Sequence, residues 1–320
     1  MRQLHRIAAL FLLCLFAGMA QAADYPTRPI KWIVAYPPGG TTDVLARLMA
    51  QALSEKLGQQ VIVENKPGAG NNIGTEGVIN AAPDGYTMLL VNPANYINTT
   101  LYKNLNFNFV RDIAPVAGIV STPNVMVVSN SVPAKSVAEF LTYCKENPGK
   151  VNMASSGSGT SVHLSGELFK FMTGCNMVHV PYKGAGPALI DLTAGQVQVL
   201  FDNLPSSVPH IKNGRIRALA VTSVAAEPSM PELPTVGATV AGYEATASFG
   251  IGMPRNTPPE AINKINATVN QILAEPAMRT RLADLGGVTI PGTPADFGKI
   301  ITSETEKWAK VINASGITLD

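Results

Sequence analysis

Short runs of β-branched and aromatic residues alternate with amphipathic helical stretches along this 320-residue chain, and no other feature narrows the fold as much. Ile30 to Tyr36 reads IKWIVAY, a buried strand by composition and length. Pro37-Pro38-Gly39-Gly40 breaks it, and Leu45, Leu48, Met49, Ala52, Leu53 and Leu57 then recur at helical spacing until Gly58. Val61 to Glu64 and Tyr86 to Val91 are the next two strands, with a second helix between them. The middle of the chain repeats the pattern. Ser136 and Glu139 form a capping box for a helix reaching Asn147. Strands follow at Lys150 to Ala154, Met177 to Val180, Val197 to Phe201 and Arg217 to Val221. Strand-helix-strand alternation of this kind predicts an α/β fold whose parallel sheet is covered on both faces.

The last part is helical. Thr257 is expected as a cap, Pro258 as the first-turn proline and Glu260 as the capping-box partner, ahead of the stripe Ile262, Ile265, Val269, Ile272 and Leu273. Pro276 opens a further helix closed by Gly286-Gly287, and Thr293-Pro294 opens one that runs through Trp308 to Ile312. Two helix-free, strand-prone stretches, Pro115 to Val128 and Ser248 to Met253, read as crossings between lobes. They divide the chain into lobe one (residues 23–124 plus 247–320) and lobe two (125–246), joined by a two-strand hinge.

The first 22 residues read as a cleaved secretory leader. Arg2, His5 and Arg6 precede the apolar run Ile7 to Phe16, and Ala20-Gln21-Ala22 supplies the A-x-A site. A lipobox at Cys14 is ruled out by Leu13, which is not small. Of the 24 basic residues two lie in this leader, so the remainder balances the 22 acidic ones. A neutral chain without a Lys/Arg cluster argues against nucleic acid as partner. Cys144 and Cys175 remain after processing, and either a disulfide or two buried thiols suits them. Metal-ligand spacings of Cys and His are absent from the sequence, and no cofactor is expected.

Three Gly-rich loops each end a strand and open a helix. They are Pro38-Gly39-Gly40-Thr41-Thr42-Asp43, Gly68-Ala69-Gly70-Asn71-Asn72, and Ser155-Ser156-Gly157-Ser158-Gly159-Thr160-Ser161. Helix starts present free N–H groups and a positive dipole end, glycine lets an anion approach, and hydroxyls add donors. Such loops bind a carboxylate without arginine, and in parallel sheets they lie at the edge where ligands bind. An ordinary strand-helix turn is the competing account of each loop taken singly. Asp202 follows VQVLF, placed either to meet a ligand amine or hydroxyl or to cap the helix starting near Leu204. His163, His179 and Tyr182 sit near these loops, and Lys183-Gly184-Ala185-Gly186-Pro187 either opens a helix or touches ligand.

The stretches YPPGGTTDVLAR, ENKPGAGNNIGT, NMASSGSGTSVHLSGELFKFMTG, MVHVPYKGAGPALIDLTAGQVQVLFDNLPSSVPHIKNGRIRALAVTS and LPTVGA resemble the Bug family, in order along the whole exported chain. These are substrate-binding proteins of tripartite tricarboxylate transporters. The resemblance implies a periplasmic-binding-protein fold and a periplasmic, non-catalytic receptor. It implies a monomer that binds a small carboxylate and hands it to membrane transporter subunits. The family's carboxylate loops match Pro38 to Asp43 and Ser155 to Ser161 here. Its GAGG loop matches Gly68 to Asn71, with Asn71 in place of the third glycine. The rival reading is an exported serine-type hydrolase using a third-loop serine with His163 or His179. A G-x-S-x-G elbow would favour it, but around Ser158 the flanking positions are Ser156 and Thr160.

Overall fold

Lys31 is the one exposed position of the strand IKWIV, β1 (Ile30–Val34); its other four residues are buried, as expected of a strand covered on both faces. The computed structural model describes residues 25–315; the leader expected over residues 1–22 lies outside them. β1 lies between β2 (Val61–Asn65) and β3 (Thr87–Val91), parallel to both. α1 (Thr41–Leu57) and α2 (Asn72–Ile79) make the crossovers. A second parallel group comprises β5 (Val151–Ser155), β6 (Met177–Pro181) and β7 (Val199–Asn203), with β5 in the middle. Its crossovers are α6 (Ser161–Thr173) and α7 (Ala185–Thr193). The earlier helices are α3 (Pro93–Leu101), α4 (Phe109–Asp112) and α5 (Val137–Glu146), and α8 (Leu204–Lys212) follows β7.

The two groups belong to one ten-stranded sheet, joined by long antiparallel strands. β4 (Ile113–Ser129) pairs with β9 (Thr246–Pro254) from Ile113↔Pro254 to Pro123↔Thr246. At Asn124 it changes partners and runs antiparallel to β7 and to β8 (Ile216–Val221). β10 (Val288–Thr289) adds a short antiparallel pairing to β4. The sheet is therefore mixed, which corrects the wholly parallel sheet expected from the alternation. β4 and β9 pass between groups without an intervening helix, so they need not share the βαβ direction.

α9 (Pro259–Ala274) starts one residue later than expected. Pro258 is its N-cap, while the Thr257 hydroxyl donates back to the Pro254 carbonyl at 2.8 Å. α10 (Pro276–Asp284) and α11 (Pro294–Ser315) follow, and α11 packs on α3. One apolar cluster around Trp32, Leu45, Met49 and Ile265 fills the first group, and another around Val125, Leu189 and Leu204 fills the second. A third, including Val91, Trp308, Phe169, Phe201 and Tyr243, is continuous between them. Cys144 and Cys175 are both buried and form a disulfide, with their Cα atoms 5.8 Å apart.

Candidate functional site

The first loop is set by the end of β1 and the start of α1. Gly39 takes φ 92°, and Gly40 is the N-cap of α1 without any side-chain cap. The helix thus presents its first N–H groups uncapped by any side chain. Asp43 is buried beneath the loop. Arg47 Nε and Asn65 Nδ2 donate to its Oδ1, each at 3.0 Å, and the Gly39 N–H donates to Oδ2 at 3.1 Å. Burial pushes the Asp43 carboxyl up, but these donors together outweigh it and hold the group below its ordinary value.

The second loop keeps a glycine-like path through its substituted position. Gly70 has φ 61° and Asn71 φ 89°, and asparagine is among the few side chains that tolerate this left-handed region. Asn98 on α3 braces the loop, donating from Nδ2 to the Gly70 carbonyl and to Asn72 Oδ1, both at 2.8 Å.

The third loop leaves β5 at Ser155 and enters α6 through Thr160, whose hydroxyl accepts from the His163 N–H at 3.1 Å. Two histidines sit behind it, stacked with ring centres 3.9 Å apart. His163 Nδ1 accepts from the Gly159 N–H at 3.2 Å, which fixes a neutral ring with its proton on Nε2. His179 Nε2 lies 2.7 Å from Ser155 Oγ. Burial lowers both imidazoles, His163 to about 3 and His179 to about 4; the partner ring and Lys170 lower His163 further, and Lys170 does the same to His179.

The loops converge on a cleft with two chambers. The inner one is a cavity of about 30 Å³, walled by Gly40, Thr41 and Thr42 from one side and Ser156, Thr160 and Ser161 from the other, with Tyr36, Asn92, Asn203 and Phe249. The outer chamber, about 410 Å³, shares Tyr36, Pro37 and Ser156 with it and adds Gly70, Asn71, Gly157, Ser158, Tyr102, Tyr182 and Lys183. Lys183 shows that the surroundings of the loops are not free of cations, although no Arg or Lys lies within the three loops. The strand groups touch across the cleft. Thr41 Oγ1 donates to Ser206 Oγ at 3.1 Å, and Ser206 donates on to Asp202 Oδ2 at 2.5 Å.

Of the residues expected at the site, Gly40, Thr41, Thr42, Gly70, Asn71, Ser156, Gly157, Ser158 and Thr160 line one chamber or the other. Pro38, Gly39, Asp43, Asn72, Gly159 and Asp202 lie outside both linings; Pro38 and Gly39 are exposed, and the other four are buried. Asp202 is fully buried, accepts from Ser206 and Ser207, and leaves Oδ1 without a protein partner. Its burial outweighs those bonds and raises it to about 6. Tyr36, Tyr102, Asn92, Asn203 and Phe249 were not anticipated. Asn92-Pro93, an N-cap followed by an N1 proline, carried a legible signal; its side chain accepts from Ala94 N–H at 3.1 Å.

Residues 45–317 match the family described as tripartite tricarboxylate transporter family receptor. BugT of Bordetella pertussis is 36% identical over 95% of this chain and 94% of its own length. Among solved structures, an R. palustris protein with adipate is 38% identical and superposes with a TM-score of 0.90 over 92% of this chain and 99% of that one. MatC from Rhodopseudomonas palustris, with bound malate, is 29% identical with a TM-score of 0.85, over 90% of this chain and 100% of that one. The loops, their order and this match over nearly the whole length agree, and the chain belongs to the Bug family of tripartite tricarboxylate transporter receptors.

Proposed function

We propose that this chain is an extracytoplasmic solute receptor that captures a small carboxylate and delivers it to the membrane subunits of a tripartite tricarboxylate transporter. The observation that carries the reading is the inner chamber. Its wall is built from the starts of α1 and α6 with the hydroxyls of Thr42, Ser156 and Ser161, those of Thr41 and Thr160 donating to Ser206 and to the Gly157 carbonyl, and no carboxylate stands in it. Helix starts and hydroxyls favour an anion without a counter-cation. Adipate in one relative and malate in another support the ligand class. We assign the ligand-facing role to the lining residues named above, with Asp43 and Asp202 acting from behind. Export to the periplasm by a leader cut after Ala22, and action as a monomer, belong to the same proposal. So does the division into two lobes, which the change of β4 partners at Asn124 favours.

The hydrolase reading loses support at the pair it needs. Ser155, bonded to His179, is fully buried, and its hydroxyl also accepts from the Gly157 N–H at 3.2 Å. That pair shapes the loop and presents no nucleophile to a substrate.

Thermal unfolding against adipate, malate, succinate, a neutral sugar and a polyamine tests the receptor reading. A carboxylate at a hundredfold its Kd is expected to add about 2.7 kcal/mol, a rise of at least about 5 °C. A shift with the sugar or the polyamine and none with any carboxylate would overturn it.

The two aspartates give a finer prediction. Asp43→Asn loosens the first loop and is expected to weaken malate and succinate alike by about 1–2 kcal/mol. Asp202→Asn, acting through Ser206 on Thr41, is likewise expected to weaken both by one factor. Affinities of each variant for the matched pair check this. If Asp202 instead met the ligand hydroxyl, its variant would lose malate selectively.

A further inference from the structure

Asn124, the residue at which β4 changes partners, is fully buried, and its side-chain amide can face only one way. The amide nitrogen donates to the Phe201 carbonyl at 3.0 Å and to Ser165 Oγ at 2.8 Å. A main-chain carbonyl only accepts, so the nitrogen must face Phe201 and the amide oxygen must face away from it. That oxygen accepts from Asn203 Nδ2 at 2.5 Å, and Asn203 Nδ2 also donates to Ser161 Oγ at 3.1 Å. Asn203 and Ser161 both wall the inner chamber, while Asn124 touches neither chamber. The order of donors and acceptors is thus set by a β7 carbonyl and carried through two amides to a hydroxyl on the first residue of α6. The main chain of Asn124 is held as well. Thr222 donates its N–H to the Asn124 carbonyl at 2.9 Å, and the Thr222 hydroxyl lies between that carbonyl and the Ala245 carbonyl, next to β9.

We infer that Asn124 is a positioning residue for ligand capture: acting through Asn203, it makes the Ser161 hydroxyl a donor to the inner chamber. The inference rests on the receptor reading and adds to it a residue that never meets the ligand. A hydroxyl has one proton, and an ionised carboxylate can only accept, so the direction of each hydroxyl decides whether it helps. Thr41 spends its proton on Ser206, and Thr160 spends its own on the Gly157 carbonyl. Ser161 is the reverse case. It accepts from Asn203, so its proton is turned away from Asn203 and is available in the chamber. With Asn124 gone, the Asn203 amide is free to turn over and take the Ser161 proton for itself. The wall would keep its shape and lose a donor.

Calorimetry with adipate, malate and succinate on the wild type, Asn124→Ser, Ser161→Ala and the double variant tests this. Each single substitution is expected to weaken every acid that binds by about fivefold, the worth of one hydrogen bond. The double variant should bind within about twofold of Ser161→Ala alone, because with the hydroxyl removed there is nothing left to direct. A residue that only supports the fold would cost the same factor in either background. Losses that multiply in the double variant would therefore overturn the inference, and so would an Asn124→Ser protein of unaltered affinity; the receptor reading would stand in both cases. Should Asn124→Ser fail to fold, Asn203→Ala breaks the chain of bonds one link nearer the chamber, and its cycle with Ser161→Ala decides by the same rule. Failure of all three acids to bind the wild type would instead remove the receptor reading and this inference with it.

Discussion

Replacing Cys144 and Cys175 together by alanine is expected to lower the unfolding free energy by about 3–4 kcal/mol. The disulfide ties the last turn of α5 to the approach of β6 across a sequence separation of 31 residues, with β5 and α6 inside the loop. Opening a loop of that size restores chain entropy to the unfolded state, and the two buried positions lose packing as well. Denaturant titration of the oxidised wild type, the reduced wild type and the double variant measures the effect. The reduced protein and the double variant should share a midpoint well below the oxidised one. Coincident midpoints for all three, or two free thiols by mass in the native protein, would show that the bridge does not act.

Acidification from pH 7 to pH 5 is expected to remove about 2–3 kcal/mol of stability. His163 and His179 have folded values of about 3 and about 4, below the ordinary imidazole value, so between that value and the folded ones the unfolded chain binds more protons. Stability therefore falls with pH across this window, by about 2 kcal/mol for each ring at pH 5. Glu167 does not rescue the charged form. Its carboxylate is 3.8 Å from His163 Nε2 but is engaged by Lys170 at 2.9 Å. Asp202 works in the opposite direction. Its value, raised to about 6, means that the folded protein takes up a proton first on acidification, returning about 1 kcal/mol by pH 5. Unfolding titrations at pH 7, 6 and 5 give the slope. A His163→Gln/His179→Gln variant should reverse its sign and leave the small Asp202 gain. A wild-type curve flat over this range would sink the assignment. Carboxylate affinity should not follow this course on account of His163, which stays neutral in the folded protein down to pH 5 and keeps accepting the Gly159 N–H that shapes the third loop.

The periodicities of β1, α1, α6 and α9 were legible because each is decided locally, by which face of a short element is apolar. The crossings were legible for a related reason: Pro115 to Val128 has strand character and no helix to interrupt it. Strand direction at the crossings was not legible, since it depends on which group the chain joins next. α3 was missed because PANYINTTL is short and sets its apolar Ala94, Ile97 and Leu101 among two asparagines and two threonines. Its Asn98 faces inward to brace Gly70 and Asn72, and its Asn95 donates to Thr75, an arrangement whose logic appears only with the partners present. At the site, the three loops announced themselves through glycine and hydroxyl content. Tyr36, Asn203 and Phe249 carried no such mark, because strands far apart in sequence deliver them to one place. Asp43 and Asp202, expected at the ligand, lie outside both chamber linings, each buried against neighbouring donors.

The glycines at the seam between the strand groups divide the cleft into parts that differ in their freedom to evolve. A Cβ at Gly184 would stand 3.1 Å from the Pro37 ring, and one at Gly70 would stand 3.0 Å from the Ser158 carbonyl oxygen. At Gly159 it would run into the side chains of Asn98 and Leu101. Any larger residue at these three positions acts as a wedge, whatever ligand is present. Divergence toward new ligands is then channelled into Tyr36, Tyr102, Tyr182 and Lys183, which can exchange ring for chain or charge for amide without prising the seam apart. A lineage of such receptors can drift widely in diet through a handful of outer-chamber side chains while its clasping surface stays the same.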